Sequence, residues 1–254
     1  MTDMRLPAIA VALIVTLLGA ITVRASAAEP FGIDNCPGVS PGAGIQDPAS
    51  DFYTAGFFYK GAKGRDAATY FVTDGTLILP VASTRVWSGS SGPAVRDANG
   101  KPIGHYVYAF SQDTPSADSF GLVRLDRGVK WSPSVCHFGG PTGAYSGLSQ
   151  TPVPVQYYGQ GFPLDATVPA RTGVAPTTTD KSEIFVVGPS EAFAGLGDEG
   201  APVLANGQAV GIFTGAIGGG GDGAGFAVSR IGPAIARAQK FTGIKLTLVT
   251  SRAF

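Results

Sequence analysis

The chain has 254 residues, of which 44% are hydrophobic and 14% are charged, and its 18 lysines and arginines balance its 18 aspartates and glutamates. This length suits one large β domain or two small ones. No long basic run occurs, so we expect no nucleic-acid partner. The 37 glycines and 19 prolines have no collagen-like period and indicate short strands joined by tight turns.

The N-terminal residues have the pattern of a secretory signal peptide. Arg5 precedes an apolar run over 7–23, and residues 25–27 read Ala-Ser-Ala, a small-x-small cleavage pattern. An uncleaved membrane anchor is the alternative, although the run lies at the short limit for crossing a bilayer. We predict that a signal peptide over 1–27 is removed, and that an irregular segment follows over 28–44. The mature protein is then secreted or extracytoplasmic and has no membrane span.

Two cysteines remain after this cleavage, Cys36 and Cys136. Outside the cytosol a lone pair of cysteines usually forms a disulfide. A reactive thiol or a metal ligand is the alternative, but two cysteines and two histidines make a poor ligand set. We therefore predict a structural disulfide, and we expect neither a metal nor a cofactor.

Runs of aromatic and β-branched residues recur between turn residues, a pattern typical of an antiparallel barrel or sandwich. The predicted strands are 52–59, 69–72, 76–81, 105–110, 120–125, 153–158, 184–187, 202–204, 209–214 and 225–228. One helix is predicted from Pro233 to Phe241, because proline suits a first turn and Gly243 follows the last turn. The polar stretch 112–117 is the best candidate for a domain boundary.

Short motifs occur in a fixed order between residues 50 and 240. They are Thr-Asp-Gly-Thr-Leu at 73–77, Ser-Phe-Gly-Leu-Val-Arg-Leu at 119–125, Val-Cys-His-Phe-Gly at 135–139, Thr-Gly at 142–143, Gly-Asp-Glu-Gly-Ala-Pro-Val at 197–203, Val-Gly-Ile-Phe-Thr at 210–214 and Gly-Phe-Ala-Val at 225–228. In this order they resemble the motifs of the chymotrypsin-like serine proteases, in particular of the secreted bacterial branch.

This resemblance implies an all-β fold of two six-stranded antiparallel barrels with a short C-terminal helix. It places the first barrel at 45–117 and the second barrel, together with the helix, at 118–254. Thr76, Ser119 and Glu199 then stand where the family has the histidine, the aspartate and the serine of its catalytic triad.

None of these three residues suits the corresponding role. In the triad, a base takes the proton of the nucleophile and an acid orients the base. Thr76 does not accept a proton near neutral pH, and Ser119 carries no charge that would stabilise an imidazolium. Asp118 is no substitute, because a one-residue step along a strand points to the opposite face. We therefore assign no catalytic residue.

The resemblance also implies that the backbone amides of Gly197 and Glu199 form the former oxyanion hole. A carboxylate about 4 Å from the developing oxyanion costs about 4 kcal/mol at an effective dielectric of about 20, or roughly a thousandfold in rate. Ala201 replaces a glycine, which strains the backbone if that position needs a positive φ. The former substrate groove would contain Thr214, Gly215 and Ala216.

The same comparison bears on the predicted disulfide. Where the family has the usual partner of Cys136, this chain has Ser146, and where it has another usual cysteine, this chain has Leu77. The resemblance thus leaves Cys36 as the only mate for Cys136.

We expect an exported trypsin-like serine protease homologue that is catalytically inactive, a pseudoprotease, and that has a binding role, with a peptide or protein in the cleft between the barrels. One alternative is an active serine-type endopeptidase with a rearranged site, which needs His105 or His137 beside a nucleophile. Both histidines are more simply interpreted as structural. A structural envelope protein is the other alternative.

Two further patterns have weaker functional interpretations. Asp198 and Glu199 are adjacent carboxylates, but a glycosidase needs two carboxyl groups that converge on one bond, which sequence neighbours rarely do. The glycines at 218–221 suggest a phosphate loop, yet no Lys-Ser or Lys-Thr pair and no long helix follows them. We expect a loop beside the former specificity pocket instead.

Overall fold

The computed structural model describes residues 38–49, 51–62, 67–112, 118–147, 152–160, 170–175, 183–187, 197–217 and 225–254. The signal peptide, Cys36, most of the boundary stretch and the glycine run at 218–221 lie outside these residues. The strands are β1 Gly44–Gln46, β2 Phe52–Thr54, β3 Phe58–Gly61, β4 Thr69–Thr73, β5 Ser83–Val86, β6 Ala94–Asp97, β7 Pro102–Ser111, β8 Ser119–Leu125, β9 Val153–Tyr158, β10 Ala170–Ala175, β11 Glu183–Val187, β12 Pro202–Ala205, β13 Gln208–Ile217, β14 Gly225–Arg230 and β15 Leu246–Leu248, and the helix α1 is Ile231–Thr242.

The first sheet has the order β15-β3-β4-β8-β7-β6-β1-β2, and β5 pairs with β7 outside this path. Its strands β2 and β3 are consecutive in the chain and are separated only by residues 55–57. Strands β5 and β6 both pair with the long β7, at 108–111 and at 102–105 respectively. If β2 and β3 are counted as one interrupted strand, and β5 and β6 as another, the sheet consists of the six strands of a barrel and the additional β15.

The second sheet is a closed barrel with the order β10-β11-β14-β13-β12-β9. Closure leaves no unpaired edge, so all six strands are hydrogen-bonded on both sides. The predicted fold class, two curled antiparallel sheets of the chymotrypsin type with one short C-terminal helix, is confirmed.

Several boundaries differ from the sequence analysis. Residues 76–81 form turns rather than a strand, since the amide of Ile78 bonds the carbonyl oxygen of Gly75 and Pro80 follows. The predicted strand 52–59 is interrupted at 55–57, where Ala55 and Phe57 are fully buried. Strands β8 and β15, which the sequence analysis assigned to the second barrel, are hydrogen-bonded in the first sheet. The analysis did not predict β1, β5, β6, β10 and β15.

Helix α1 agrees with the sequence prediction and extends it by three residues in total. Gly243 ends it in the left-handed conformation, with φ 74°, and its amide bonds the carbonyl oxygen of Gln239 at 2.9 Å. Glycine pays no steric penalty there. Within the part of the chain that the structure describes, no helix has the length and apolar character needed to cross a membrane.

Three hydrophobic clusters fill the structure. One fills the interior of the first sheet around Phe58, Phe71 and Tyr106, and another fills the second barrel around Tyr157 and Phe213. The third joins the two sheets to the inner face of α1, and its members include Tyr108, Phe120, Leu204, Ile212, Ile235 and Ala238. The residues that correspond to the family's site lie where the ends of β4, β8 and β12 meet beside this third cluster.

Candidate functional site

Thr76 and Ser119, two residues that the resemblance to the serine proteases assigns to triad positions, are in hydrogen-bond contact. The Ser119 hydroxyl oxygen accepts from the backbone amides of Gly75, at 3.0 Å, and Thr76, at 3.1 Å, and the hydroxyl donates to the carboxylate of Asp74. The Thr76 amide also lies 2.9 Å from Asp74 Oδ1. A Cβ at Gly75 would lie 2.4 Å from the Phe110 carbonyl oxygen, so only glycine permits this close approach.

Asp74 supplies a carboxylate at this place that the sequence analysis did not assign. Its side chain is completely buried, and its Oδ2 has no hydrogen-bond partner among the described residues. Burial raises the pKa of Asp74 from 3.8 to about 6, although the hydrogen bonds from Ser119 and Thr76 act in the opposite direction. In the sequence, Asp74 stands only as one residue of the motif at 73–77, and no pattern assigns it a role.

Asp118 belongs to a separate hydrogen-bond network. The Ser229 hydroxyl donates to Asp118 Oδ1 at 2.6 Å, and the guanidinium of Arg237 on α1 lies 3.7 Å from Oδ2. The Ser229 oxygen in turn accepts from the amide of Ser119 at 2.8 Å. Asp118 therefore joins the helix to strands β8 and β14 and takes no part in the contacts of Asp74.

Glu199, which the same resemblance assigns to the position of the nucleophile, folds back onto its own loop. Its Oε2 accepts a hydrogen bond from the amide of Gly197 at 2.7 Å, and its own amide also bonds the carboxylate. Burial raises the pKa of Glu199, and the nearby Asp74 and Asp198 add to the rise, whereas the two amides oppose it. The carboxylate thus accepts hydrogen bonds from the amides of both Gly197 and Glu199.

The loop that carries Glu199 is fastened to the first sheet through Thr54. The Thr54 amide bonds the Glu199 carbonyl oxygen at 2.9 Å, and the Thr54 hydroxyl donates to the carbonyl oxygen of Gly197 at 2.7 Å. The same hydroxyl accepts from the amide of Gln160 at 3.0 Å. The positive φ angles of the loop fall on Gly197 (103°) and Gly200 (91°). Ala201 does not have a positive φ, so the backbone strain that the sequence analysis expected for that case does not arise.

A buried ion pair supports the same loop from the second barrel. The Arg171 guanidinium contacts Asp198, and their side chains are 3% and 0% exposed. A Cβ at Gly159 would lie only 2.0 Å from Asp198 Oδ1, so the carboxylate fits because residue 159 has no side chain. No local pattern in the sequence indicates this partner, because Arg171 is an isolated charge 27 positions away.

The two histidines take up structural positions. His105 on β7 lies opposite Arg124, six positions along the strand from Ser111, which pairs with Ser119; that separation is roughly 20 Å at the rise of a β-strand. His105 Nδ1 is 3.2 Å from the carbonyl oxygen of Gly92. His137 is 4% exposed and stacks on Tyr158, with ring centroids 6.2 Å apart.

The former groove residues lie on β13. Thr214 is 6% exposed, and its hydroxyl has no hydrogen-bond partner among the described residues. Gly215 and Ala216 pair with Ala227 and Phe226 on β14. Cys136 is 2% exposed and is not a free thiol. Its predicted pairing with Cys36 stays a prediction, because Cys36 lies outside the described residues.

The arrangement provides buried carboxylates with their own donors rather than a nucleophile beside a base. Ser119 is hydrogen-bonded to a carboxylate, but both Ser119 and Asp74 are completely buried and offer no surface to a substrate. Among the described residues, no three His, Cys, Asp or Glu side chains are placed to hold a metal ion together.

The raised pKa of Asp74 predicts a pH dependence of stability. The folded protein binds this proton more tightly than the unfolded chain, so the contribution of Asp74 to stability is largest below about pH 4 and declines as the pH rises through about 6. As the pH rises from about 4 to about 7, the wild type should lose free energy of unfolding and Asp74→Asn, which does not titrate there, should not. The difference between the two proteins should therefore grow by about 3 kcal/mol in favour of the variant. Urea denaturation across this range measures it, and a pH-independent difference would contradict it.

The Arg171–Asp198 pair predicts a large effect of removing one partner. Arg171→Met leaves the Asp198 carboxylate buried without its counter-charge and should cost about 3–5 kcal/mol in free energy of unfolding. The exposed Arg85→Met is the matched control and should change stability little. Adding Asp198→Asn to Arg171→Met should recover part of the loss, because no buried charge remains. A single variant as stable as the wild type in chemical denaturation would refute the assignment.

Comparison with known proteins places this fold. No protein-family profile matches the chain, and no curated protein matches it. Among solved structures, it is similar to a chymotrypsin of Cellulomonas bogoriensis, with a TM-score of 0.52 and 17% identity over 83% of this chain and 99% of the other. Protease A of Thermobifida fusca gives 0.51 and 17% over 83% and 99%, and a glutamic-acid-specific serine protease gives 0.51 and 18% over 82% and 100%. The chain therefore has the fold of the chymotrypsin-like serine proteases.

Proposed function

We propose that this protein is an exported serine-protease homologue that does not hydrolyse peptides and acts by binding, in the cleft between its barrels or on another surface. The observation that carries the proposal is the contact between Glu199 Oε2 and the amide of Gly197 at 2.7 Å. A protease of this fold needs that amide for the oxyanion of its tetrahedral intermediate. Here the amide already donates to a carboxylate of the same chain.

Electrostatics oppose catalysis even if a substrate displaces the Glu199 side chain from the hole. Asp74 and Asp198 lie close enough to raise the pKa of Glu199, so the local field is negative. An oxyanion that forms there meets like charge instead of the donors that normally stabilise it. Protonation of Glu199 relieves only part of this repulsion.

A base is also lacking at the former site. Thr76 is exposed but does not accept a proton near neutral pH, and the Ser119 hydroxyl is committed to Asp74. His105 would have to move roughly 20 Å along the sheet to reach this end of β8. The fold persists without the triad because the hydrogen bonds of these residues are internally satisfied.

A binding role is supported by what remains of the groove. Thr214 keeps a buried hydroxyl without a partner among the described residues, and a bound peptide would satisfy this hydroxyl by displacing the groups that cover it. The two competing proposals are an active endopeptidase with a rearranged site around His137 and a structural envelope protein without a ligand. If the mature chain captures a peptide or protein, and if substitution of Thr214 abolishes this capture, the result would argue against the structural role.

The purified mature protein should not hydrolyse peptide or ester substrates, and fluorophosphonate probes should not label it, because they require an activated serine. A bacterial chymotrypsin of the same fold is the positive control. Clear hydrolysis by the wild type would overturn the proposal, and its loss in His137→Ala would establish the rearranged site.

We expect that restoring hydrolysis requires four changes, and the contact between Ser119 and Asp74 is the reason why three should be too few. Ser119→Asp alone would place a second buried carboxylate against Asp74, two like charges that cannot both ionise. We therefore expect Thr76→His, Ser119→Asp and Glu199→Ser to need Asp74→Ala before hydrolysis and probe labelling appear. Triad members act as a unit, so the gain should be absent from each single change.

The matched control is the triple variant Asp74→Ala, Ser119→Asp and Glu199→Ser, in which residue 76 stays threonine. It frees the Gly197 amide and provides the serine but has no base, so it should remain inactive. Labelling of this control as strong as that of the full variant would show that the residues do not occupy the assigned roles. Circular dichroism and the unfolding midpoint of each variant separate inactivity from loss of the fold.

A further inference from the structure

One end of the first sheet carries a concave site lined by cations. Its volume is about 400 Å³, and its lining includes Lys60, Thr69, Arg124, Arg127 and Trp131. A shallower depression shares Val129 and Trp131 with it and adds Lys130. We call this region the basic cavity. It lies at the end of β8 opposite to Ser119, so it is separate from the former catalytic residues.

The charge of the basic cavity is positive among the residues that the structure describes. Neither Arg124, Arg127 nor Lys130 forms an ion pair within the part of the chain that the structure describes. Arg124 is only partly exposed, and a guanidinium that is partly withdrawn from water is usually paired. Among the described residues that line the 400 Å³ cavity, Asp126 is the one carboxylate. The three cations in this lining, Lys60, Arg124 and Arg127, therefore exceed the acids by two. The whole chain, by contrast, has no net charge.

The position of Lys60 is fixed by its neighbours. Its Nζ lies 2.6 Å from the Thr69 hydroxyl oxygen and 4.4 Å from the centre of the Trp131 ring. Lys60 pairs with Thr69, and the adjacent Tyr70 pairs with Arg124, so Lys60 and Arg124 stand on strands two spacings apart. That places their backbones roughly 10 Å apart, about one Debye length at about 0.1 M salt. Because Thr69 and Tyr70 are adjacent, the side chains of Lys60 and Arg124 start from opposite faces of the sheet. Arg127, in the turn that follows β8, adds an exposed guanidinium to the same lining.

This combination suits a compact, multiply charged anion. Arginine presents several donors in a fork that matches the oxygens of phosphate, and lysine adds a point charge. The Thr69 hydroxyl supplies a neutral partner at the same wall. The volume lies in the range of small-molecule sites, and the concave shape fits a single group better than a flat surface does. We propose that the basic cavity binds the phosphate group of a small soluble phosphomonoester.

This proposal does not depend on the absence of protease activity. The test is titration calorimetry of the purified protein with inorganic phosphate and with glycerol 3-phosphate, and glycerol is the uncharged control. Binding should be saturable, should weaken as sodium chloride is raised, and should be absent for glycerol. A parallel arm measures sedimentation with vesicles of phosphatidylglycerol, which separates a lipid headgroup from a soluble ligand.

Arg127→Gln removes an exposed guanidinium and should weaken phosphate binding about tenfold without affecting the fold. Arg124→Gln should have a smaller effect, because its side chain starts from the opposite face of the sheet, and Arg85→Gln, which removes an exposed arginine on β5, should have none. Equal affinity in Arg127→Gln and the wild type, binding to vesicles only, or no binding of either phosphate compound would each overturn the proposal.

Discussion

Carboxylates withdrawn from water at the junction of the two sheets must find donors, and this constraint shapes the former catalytic region. Asp74, Asp118 and Asp198 are nearly or completely buried, and Glu199 is largely so. Each meets the requirement differently: Asp198 with a guanidinium, Asp118 with a hydroxyl and a more distant guanidinium, Asp74 with a hydroxyl and an amide, and Glu199 with the amides of its own loop. Only the first of these is a close ion pair, which is why burial raises the pKa of Asp74 and of Glu199.

The same constraint explains how the fold tolerates the residues at 76, 119 and 199. Two backbone amides, those of Gly75 and Thr76, point into the space beside β8, and an unpaired buried amide is costly. The Ser119 oxygen accepts from both, and its own proton goes to Asp74. Likewise the amide of Gly197 would point into an empty hole, but the Glu199 carboxylate fills it. Stability and catalysis therefore make opposite demands on these amides, and here the internal partners satisfy them.

The sequence predicts the strands better than it predicts the contacts between them. Alternation and motif order suffice for β4, β7, β8, β9 and the helix, because each is determined by local residues. The strand predicted at 76–81 was wrong. Its β-branched residues favour a strand, whereas the hydrogen bonds of Asp74 and Ser119 hold the start of this segment in a turn. Arg171 could not be identified from the sequence, since a single charge among small and apolar neighbours forms no local pattern. The folded loop of Glu199 depends on a side-chain rotamer that no spacing rule describes.

The hairpin of β7 and β8 connects the two regions of interest. At one end Ser111 pairs with Ser119 beside the buried carboxylates, and at the other Gly104 pairs with Leu125 beside the basic cavity. The seven residues of β8 separate these ends by roughly 20 Å. Over that distance salt screens exposed charges almost completely, so a ligand at the basic cavity gains little from, and loses little to, the acidic junction. A binding role at that end is thus compatible with any state of the acidic junction, since the cations of the cavity lie on β3, on β8 and in the segment that follows β8.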